Sequence, residues 1–263
     1  MAESNKKIKR PSLLWSLTEA SRAIIEFGAY YPYKMLNKIP KSGDGHPVIF
    51  LPGFLASDKS TVPLRKFVYN LGYQVYGWGS GRNLADVKNL ELLLDRIENL
   101  YHKYDNKVSI VGWSLGGVFA RQIAKERPHL VRQVITMGSP FKGITKPNNA
   151  KWIHNIITKG EGTARIDPAL IADLPMPAPV PTTAIYSKED GIVPWQVCLE
   201  EHETAIHQNI QVRGSHLGMG VNPSILYIIA DRLQYHEDNW IHFKPNRQFR
   251  DALIYPSLNK NVN

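Results

Sequence analysis

Short, largely apolar runs rich in β-branched residues alternate along the chain with stretches whose apolar residues recur at helical spacing. The apolar runs lie at 48–51, 73–76, 108–111, 131–137, 183–186 and 210–212, and the helical patterns at 60–72, 89–104, 115–126 and 223–233. Strands that are apolar throughout are buried on both faces, as in a parallel sheet covered by helices on both sides. The alternation therefore predicts an α/β fold with a mainly parallel sheet.

The alternation is interrupted between residues 141 and 181. This stretch contains two short helical patterns followed by prolines at alternate positions, and it is too long to be a bare connection. We predict a helical cap inserted over the functional edge of the sheet. The organisation predicted for the 263 residues is an N-terminal amphipathic helix with its lead-in over 1–44, one α/β domain over 45–236 and a polar C-terminal tail over 237–263.

Composition narrows the class of protein. The lone cysteine, Cys198, excludes an intrachain disulfide framework, and its apolar neighbours predict a place in the core. No run approaches the roughly 18 apolar residues of a membrane span, and no secretory signal is evident, so we expect a cytoplasmic protein. The formal net charge of +9 permits attraction to anionic surfaces, but the positive residues are scattered, and we expect no nucleic-acid partner.

Residues 12–31 have the pattern of an amphipathic helix, preceded by a basic segment. The apolar side is formed by Leu13, Leu14, Leu17, Ile24, Ile25 and Gly28, and the basic residues are Lys6, Lys7, Lys9 and Arg10. One interpretation is a helix that lies on an acidic membrane surface, which would make the protein peripheral at a membrane. The other, which we favour, is a helix packed on its own domain.

A candidate nucleophile lies in the stretch IVGWSLGG, residues 110–117. Ser114 alone among the serines has glycine both two residues before and two residues after it, at Gly112 and Gly116. The motif falls where a strand is predicted to end and a helix to begin. Such a sharp turn exposes the hydroxyl and directs the free N–H groups of the helix towards any negative charge beside it. We predict that Ser114 is a catalytic nucleophile.

A serine needs a base to take its proton, and the base needs an acid to orient it. Asp190 follows the strand predicted at 183–186 and precedes a glycine turn, which favours it over its neighbour Glu189. His216 lies in a glycine-flanked loop between a late strand and a late helix, whereas His46 precedes the first strand, at the wrong edge. The order Ser114, Asp190, His216 is that of α/β-hydrolases.

Two backbone N–H groups are the candidates for an oxyanion hole. One belongs to Leu115, directly after the nucleophile. The other is expected in the loop FLPGFLAS, where Gly53 permits the N–H of Phe54 to point inward. Leu55 in the same loop and Trp113 beside the nucleophile are the candidate substrate-binding residues.

Four stretches in this order, HPVIFLPGF, VGWSLGG, YSKEDGIVPW and GSHLGMGVNP, resemble a serine hydrolase of the α/β-hydrolase superfamily, in its lipase and esterase branch. The resemblance covers roughly residues 45–235. It implies the α/β-hydrolase fold with a mainly parallel sheet of about eight strands and a late cap. It also implies hydrolysis of a small-molecule ester or lipid through an acyl-serine, with no metal or cofactor. The cap residues Trp152, Ile153, Ile156 and Ile157 are candidates to line an apolar acyl site.

One departure from the resemblance keeps a second reaction open. Trp113 stands where many lipases have histidine, and its bulky ring could narrow the pocket or exclude water. The same triad would then serve an acyltransferase whose acceptor is not water. A different class, a non-catalytic binding protein on a hydrolase scaffold attached to membranes, has no need of an intact triad.

Overall fold

The computed structural model describes residues 8–36, 43–86, 88–142, 168–245 and 255–256. Its α-helices are α1 (Leu13–Leu17), α2 (Glu19–Leu36), α3 (Val62–Asn70), α4 (Lys88–Tyr104), α5 (Leu115–Glu126), α6 (Pro168–Asp173) and α7 (Pro223–Leu233). Its strands are β1 (Pro47–Leu51), β2 (Gln74–Gly77), β3 (Val108–Trp113), β4 (Val131–Met137), β5 (Thr182–Ser187) and β6 (His207–Val212).

The strands form one parallel sheet in the order β2-β1-β3-β4-β5-β6. The predicted α/β class and parallel sheet are therefore confirmed. Among the described residues the sheet has six strands, where the resemblance implied about eight.

Each central strand supplies side chains to two cores, one on either face of the sheet. In β1, Val48 and Phe50 enter a core that is shared with α3 and α7, whereas Ile49 and Leu51 enter a core shared with α4 and α5. Successive side chains of a strand point to opposite faces, so a strand buried on both faces is apolar at most of its positions. This is the physical reason for the continuous apolar runs in the sequence.

The C-terminal tail contributes more to the core than its polar sequence predicts. Phe243 and Tyr255 are buried in the core beside α7. Gln208 of β6 fixes the backbone of Phe243, donating to its carbonyl at 3.1 Å and accepting its N–H at 2.7 Å. Isolated aromatic residues have no periodicity, so the sequence gives no signal for this packing.

Of the predicted cap, only residues 141–142 and 168–181 belong to the described residues. The first helical pattern, with Trp152, Ile153, Ile156 and Ile157, lies outside them. The second pattern forms α6, and α5 holds its end through two bonds to Asp173. Gln122 donates to the carboxylate at 3.0 Å and Lys125 donates to the carbonyl at 2.6 Å.

The N-terminal segment, α1 and α2, packs on its own domain, which is the interpretation we favoured. It does so through its charged face. Glu19 and Tyr30 are buried against the domain. The apolar side points away from it, and its residues are 62% to 76% exposed: Leu13, Leu14, Leu17, Ile24 and Ile25. In the part of the chain that the structure describes, no helix combines the length and apolarity needed to cross a bilayer.

Candidate active site

The predicted site residues follow four different strands at one edge of the sheet. Phe54 lies after β1, Ser114 after β3, Asp190 after β5 and His216 after β6. Because all the strands are parallel, their carboxyl ends meet at this edge, and the loops that follow them share one side of the molecule. The topology thus brings together residues that are distant in the sequence.

Ser114 lies on a sharp turn between β3 and α5. Its backbone has φ of 54° and ψ of −122°, a conformation that costs a residue with a side chain about 1–3 kcal/mol. The flanking glycines make the turn possible, because a Cβ on Gly112 would collide with the backbone of Gly117 and one on Gly116 with the carbonyl of Leu51. The N–H of Ser114 donates to the carbonyl of Met137 at 2.8 Å, which fixes the turn to β4.

Asp190 and His216 are joined directly. Oδ2 of Asp190 lies 2.6 Å from Nδ1 of His216, and both side chains are buried. Oδ1 of Asp190 accepts the N–H groups of Ile192 at 2.8 Å and Val193 at 2.7 Å, which fixes the carboxylate. The rival acid, Glu189, pairs instead with Arg213 at 3.1 Å. The carboxylate that orients the imidazole is therefore that of Asp190.

The electrostatic surroundings raise the pKa of His216 above its ordinary value. Burial opposes this by disfavouring the charged imidazolium, but the charge and hydrogen bond of Asp190, together with the charge of Glu19, outweigh it. A raised pKa makes His216 a stronger proton acceptor. It also means that the imidazole is neutral, and able to act as a base, only above that raised pKa.

Trp113 connects the turn at Ser114 to the loop of His216. Its Nε1 donates to the carbonyl of His216 at 3.2 Å, and its ring lies 6.5 Å from the imidazole, centroid to centroid. These contacts give Trp113 a supporting position between the two loops, and its role in substrate binding stays a prediction. No hydrogen bond joins the Ser114 hydroxyl to His216 among the contacts of the described residues.

The two predicted oxyanion donors belong to segments that border Ser114. Leu115 is the first residue of α5, so its N–H has no partner within the helix. Gly53 packs directly against Ser114, since a Cβ placed on it would lie 3.1 Å from that of the serine. Phe54 follows Gly53, and Leu55 has a φ of 60° and a side chain that is 56% exposed. The elements that would form an oxyanion hole thus border the serine.

Comparison with known proteins agrees with this architecture. A family model described as palmitoyl protein thioesterase matches residues 47–175, a span that contains Ser114 but neither Asp190 nor His216. The fold is similar to that of Aspergillus fumigatus lipase B, with a TM-score of 0.59 and 20% identity over 84% of this chain and 61% of that one. The chain has the fold of the α/β-hydrolase superfamily. This confirms the predicted resemblance to its lipase and esterase branch and supports, in general terms, a hydrolase of esters or thioesters.

Two smaller α/β-hydrolases align over nearly their whole length. A monoacylglycerol lipase from Paleococcus ferrophilus has a TM-score of 0.52 and 13% identity, covering 73% of this chain and 95% of that one. An α/β superfamily hydrolase from Oenococcus oeni has a TM-score of 0.53 and 18% identity, covering 73% and 94%. At these identities the likeness establishes the fold alone. A search of curated protein sequences gave no match.

Two acidic residues of α2, which were not among the predicted site residues, reach the loops of the candidate site. Glu19 accepts the N–H of Gly191 at 2.9 Å and that of Leu217 at 2.8 Å. Glu26 accepts the N–H of Ser215 at 2.7 Å. The signal was present, because the two glutamates are two helical turns apart and so share one face of the helix. The long apolar pattern of residues 12–31 drew attention to the opposite face.

The protein also contains a second group of serine, histidine and aspartate, at the amino edge of the sheet. Ser109 of β3 is hydrogen-bonded through Oγ to Nε2 of His46 at 2.8 Å. Nδ1 of His46 lies 2.5 Å from Oδ1 of Asp44, and Oδ2 of Asp44 accepts from Arg132 at 2.6 Å. Ser109 and His46 are completely enclosed. The group is therefore inaccessible to a substrate.

Proposed function

We propose that this protein is a serine hydrolase that cleaves acyl esters or thioesters through an acyl-serine intermediate. Ser114 is the nucleophile, His216 the general base and acid, and Asp190 the residue that orients the imidazole. The observation that carries the proposal is the 2.6 Å contact between Asp190 and His216 at the sheet edge where Ser114 occupies its strained turn. An acid paired with a histidine beside an accessible serine is the minimal apparatus of nucleophilic acyl transfer.

The reaction proceeds in two halves. In the first, Nε2 of His216 takes the proton of Ser114 as Oγ attacks the acyl carbonyl, and the proton then passes to the departing alcohol or thiol as its bond to the acyl carbon breaks. In the second, His216 takes a proton from water, the hydroxide attacks the acyl-serine, and the proton returns to Ser114 as the acid leaves. Asp190 keeps its charge throughout and stabilises the imidazolium.

Two features lower the barrier in each half. The N–H groups of Leu115 and Phe54 hold the negative charge that develops on the carbonyl oxygen, and each such donor contributes about 2.7–4 kcal/mol at the transition state. The hydrogen bond from Ser114 to His216 forms as the substrate occupies the site, because catalytic hydrogen bonds tighten in the Michaelis complex.

The substrate class is an acyl group carried on oxygen or sulfur. The match to a thioesterase family model over the residues around Ser114 supports a thioester, and the lipases of the same fold support an ester. Leu55, exposed at the end of the Gly53 loop, is positioned to contact an acyl chain. Trp113 beside the nucleophile leaves transfer to an alcohol acceptor as the alternative outcome for the acyl-serine.

A fluorophosphonate probe tests the proposal directly. We expect stoichiometric labelling of the protein at Ser114, found by peptide mass spectrometry, and complete loss of labelling in Ser114→Ala. A folded wild-type protein that resists labelling would support a binding role and would refute the proposal. Rates with p-nitrophenyl esters from acetate to palmitate, and with the matching thioesters, then define the substrate. Product analysis with added alcohol separates hydrolysis from transfer.

We further propose that the exposed apolar side of α1 and α2 contacts an anionic lipid surface. Lys9 and Arg10 precede this apolar side, and the chain carries a formal net charge of +9, so the surface it fits is both apolar and negatively charged. We expect co-sedimentation with phosphatidylserine vesicles that weakens as salt rises, and much weaker binding to phosphatidylcholine vesicles. The double variant Leu13→Ser, Leu17→Ser should lose the binding, and equal binding by this variant would contradict the proposal.

A further inference from the structure

The N-terminal helix reaches the candidate active site through one buried carboxylate. Glu19 is 4% exposed, although it lies on a helix near the N-terminus whose opposite side faces solvent. Its Oε2 accepts the N–H of Gly191 at 2.9 Å, and its Oε1 accepts the N–H of Leu217 at 2.8 Å. Gly191 directly follows Asp190, and Leu217 directly follows His216. One side chain thus joins the two loops that carry the acid and the histidine.

We propose that Glu19 is a positioning residue for the proposed triad, and that it holds Asp190 and His216 in their working arrangement by joining the backbones of their loops. The inference rests on the proposed function. A carboxylate suits this position because both of its oxygens accept hydrogen bonds, and charge-assisted bonds to backbone N–H groups are roughly twice as strong as neutral ones. A glutamine has one acceptor oxygen, so it must leave one of the two N–H groups unpaired.

The contacts around Glu19 fix the carboxylate itself. Arg22, one turn later on α2, donates to Oε2 at 2.9 Å. Ser16 of α1 donates to the carbonyl of Gly191 at 2.7 Å, so the same loop is held from two directions. Any side chain on Gly191 would collide with the carbonyl of Trp15, which shows how closely α1 approaches the loop of Asp190. α1 and the first turn of α2 therefore pack against the loop of Asp190.

Glu26 provides a matched comparison on the same face of α2. It accepts the N–H of Ser215 at 2.7 Å and a weaker bond from Asn222 at 3.3 Å. Burial raises its pKa. Both glutamates anchor the helix to the His216 loop, but only Glu19 also holds the loop of Asp190.

The charge of Glu19 gives a signature that anchoring alone would not produce. Two charged groups face His216: Asp190 from the loop after β5 and Glu19 from α2. Arg22 is hydrogen-bonded to Glu19. Glu26 is hydrogen-bonded to Ser215, the residue before His216. Burial lowers the pKa of His216, but Asp190 and Glu19 raise it, and Glu26 is not among the causes of its shift. Removal of the Glu19 charge should therefore lower the pKa of His216, and removal of the Glu26 charge should leave it unchanged.

The test compares Glu19→Gln with Glu26→Gln in the full-length protein. For Glu19→Gln we expect kcat to fall on the order of ten- to a hundredfold with KM within about twofold of wild type. The acid limb of kcat/KM should move to lower pH, in step with the pKa of His216 measured by NMR titration without substrate. For Glu26→Gln we expect a smaller fall in kcat. Neither the acid limb of kcat/KM nor the pKa of His216 from the NMR titration should move. Equal effects of the two variants, or wild-type kcat and pKa in Glu19→Gln, would overturn the inference.

A second variant, together with the NMR titration, keeps the outcome interpretable. If Glu19→Gln does not fold, Glu19→Asp carries the test, because it keeps the charge but is one methylene too short to reach both N–H groups. A fall in kcat with the pKa of His216 still raised supports the proposal, and wild-type kcat in that variant refutes it. The NMR titration needs no catalysis, so a failure of Ser114 to react with the fluorophosphonate would count against the proposed function alone.

Discussion

β3 carries a serine near each of its ends, and each serine belongs to a group that also contains a histidine and an aspartate. At the amino end, Ser109 is hydrogen-bonded to His46, which contacts Asp44. At the carboxyl end, Ser114 lies beside the loop of His216, which contacts Asp190. By hydrogen-bond distances alone, the amino-end group is the more complete triad.

Access and backbone geometry separate the two ends. Ser109 lies inside β3 and is fully buried, so neither substrate nor water reaches it. Ser114 lies past the end of the same strand, where the turn leaves it partly exposed and the first N–H of α5 is free. The comparison teaches that residue types and distances do not define a hydrolytic site. A site also needs an open turn and donors for the developing oxyanion.

The electrostatics of the two histidines also differ in direction. Burial and the nearby charge of Arg132 lower the pKa of His46, despite the opposing influence of Asp44. The pKa of His216 is raised, because Asp190 and Glu19 outweigh its burial. His46 is thus held neutral as a structural hydrogen-bonding group, whereas His216 is prepared to accept a proton.

The largest effect should come from removing each serine hydroxyl. We expect Ser114→Ala to lower kcat/KM for an activated ester by at least about ten thousandfold, because no other group in the proposed mechanism can form the acyl intermediate. Ser109→Ala should leave kcat/KM within about twofold of wild type. Ser109→Ala should instead lower the free energy of unfolding by about 1–3 kcal/mol, because Nε2 of His46 loses its buried hydrogen-bond partner.

Steady-state rates and urea unfolding of the two serine variants check this contrast. Purified variants with matching circular dichroism spectra are the control for misfolding. A large rate loss in Ser109→Ala with unchanged stability would contradict the division of roles between the two ends.

The next largest effect should come from the aspartates. Asp190→Asn should lower kcat by about a thousandfold or more, because the amide cannot hold the imidazole in the required tautomer or stabilise its cation. Asp44→Asn should keep its activity and lose about 1–2 kcal/mol of stability, since Arg132 and His46 lose a carboxylate partner that solvent already screens in part. The same two measurements test this pair, and a loss of activity in Asp44→Asn would show that the amino-end group is coupled to catalysis.

Much of this architecture was readable from the sequence because local patterns determine it. The turn at Ser114 needs the glycines around it, and the order of the strands fixes which loops reach the carboxyl edge, so the placement of Ser114, Asp190 and His216 at that edge could be predicted. The position of His46 before β1 likewise excluded it from that edge. These inferences depend on spacing and chain order, which a single sequence displays.

The role of the N-terminal helix was not readable in the same way. Periodicity finds the two faces of a helix but not which one the domain will accept, and here the charged face is inside because two carboxylates meet backbone N–H groups of distant loops. Such contacts span most of the chain and leave no local pattern. The burial of Phe243 depends in the same way on a distant partner, Gln208.

The smallest effect should appear in the pH dependence of stability, with opposite signs at the two ends of β3. His46 has a folded pKa below its ordinary value of 6.5, so below that pH the unfolded chain binds a proton that the folded chain does not, and stability falls as pH falls. His216 has a folded pKa above 6.5, so its contribution is complete below that pH and is lost as pH rises through the folded value.

Urea unfolding between about pH 5 and pH 8.5 should resolve the two contributions, since Asp44, whose pKa is lowered, loses its contribution only below this window. We expect His46→Gln to flatten the acid side of the stability profile and His216→Gln to flatten the alkaline side. Each variant controls for the other, because both replace an imidazole by a neutral amide. If both variants flattened the same side, the pKa values of the two histidines would be shifted in the same direction. That result would contradict the electrostatic contrast between His46 and His216.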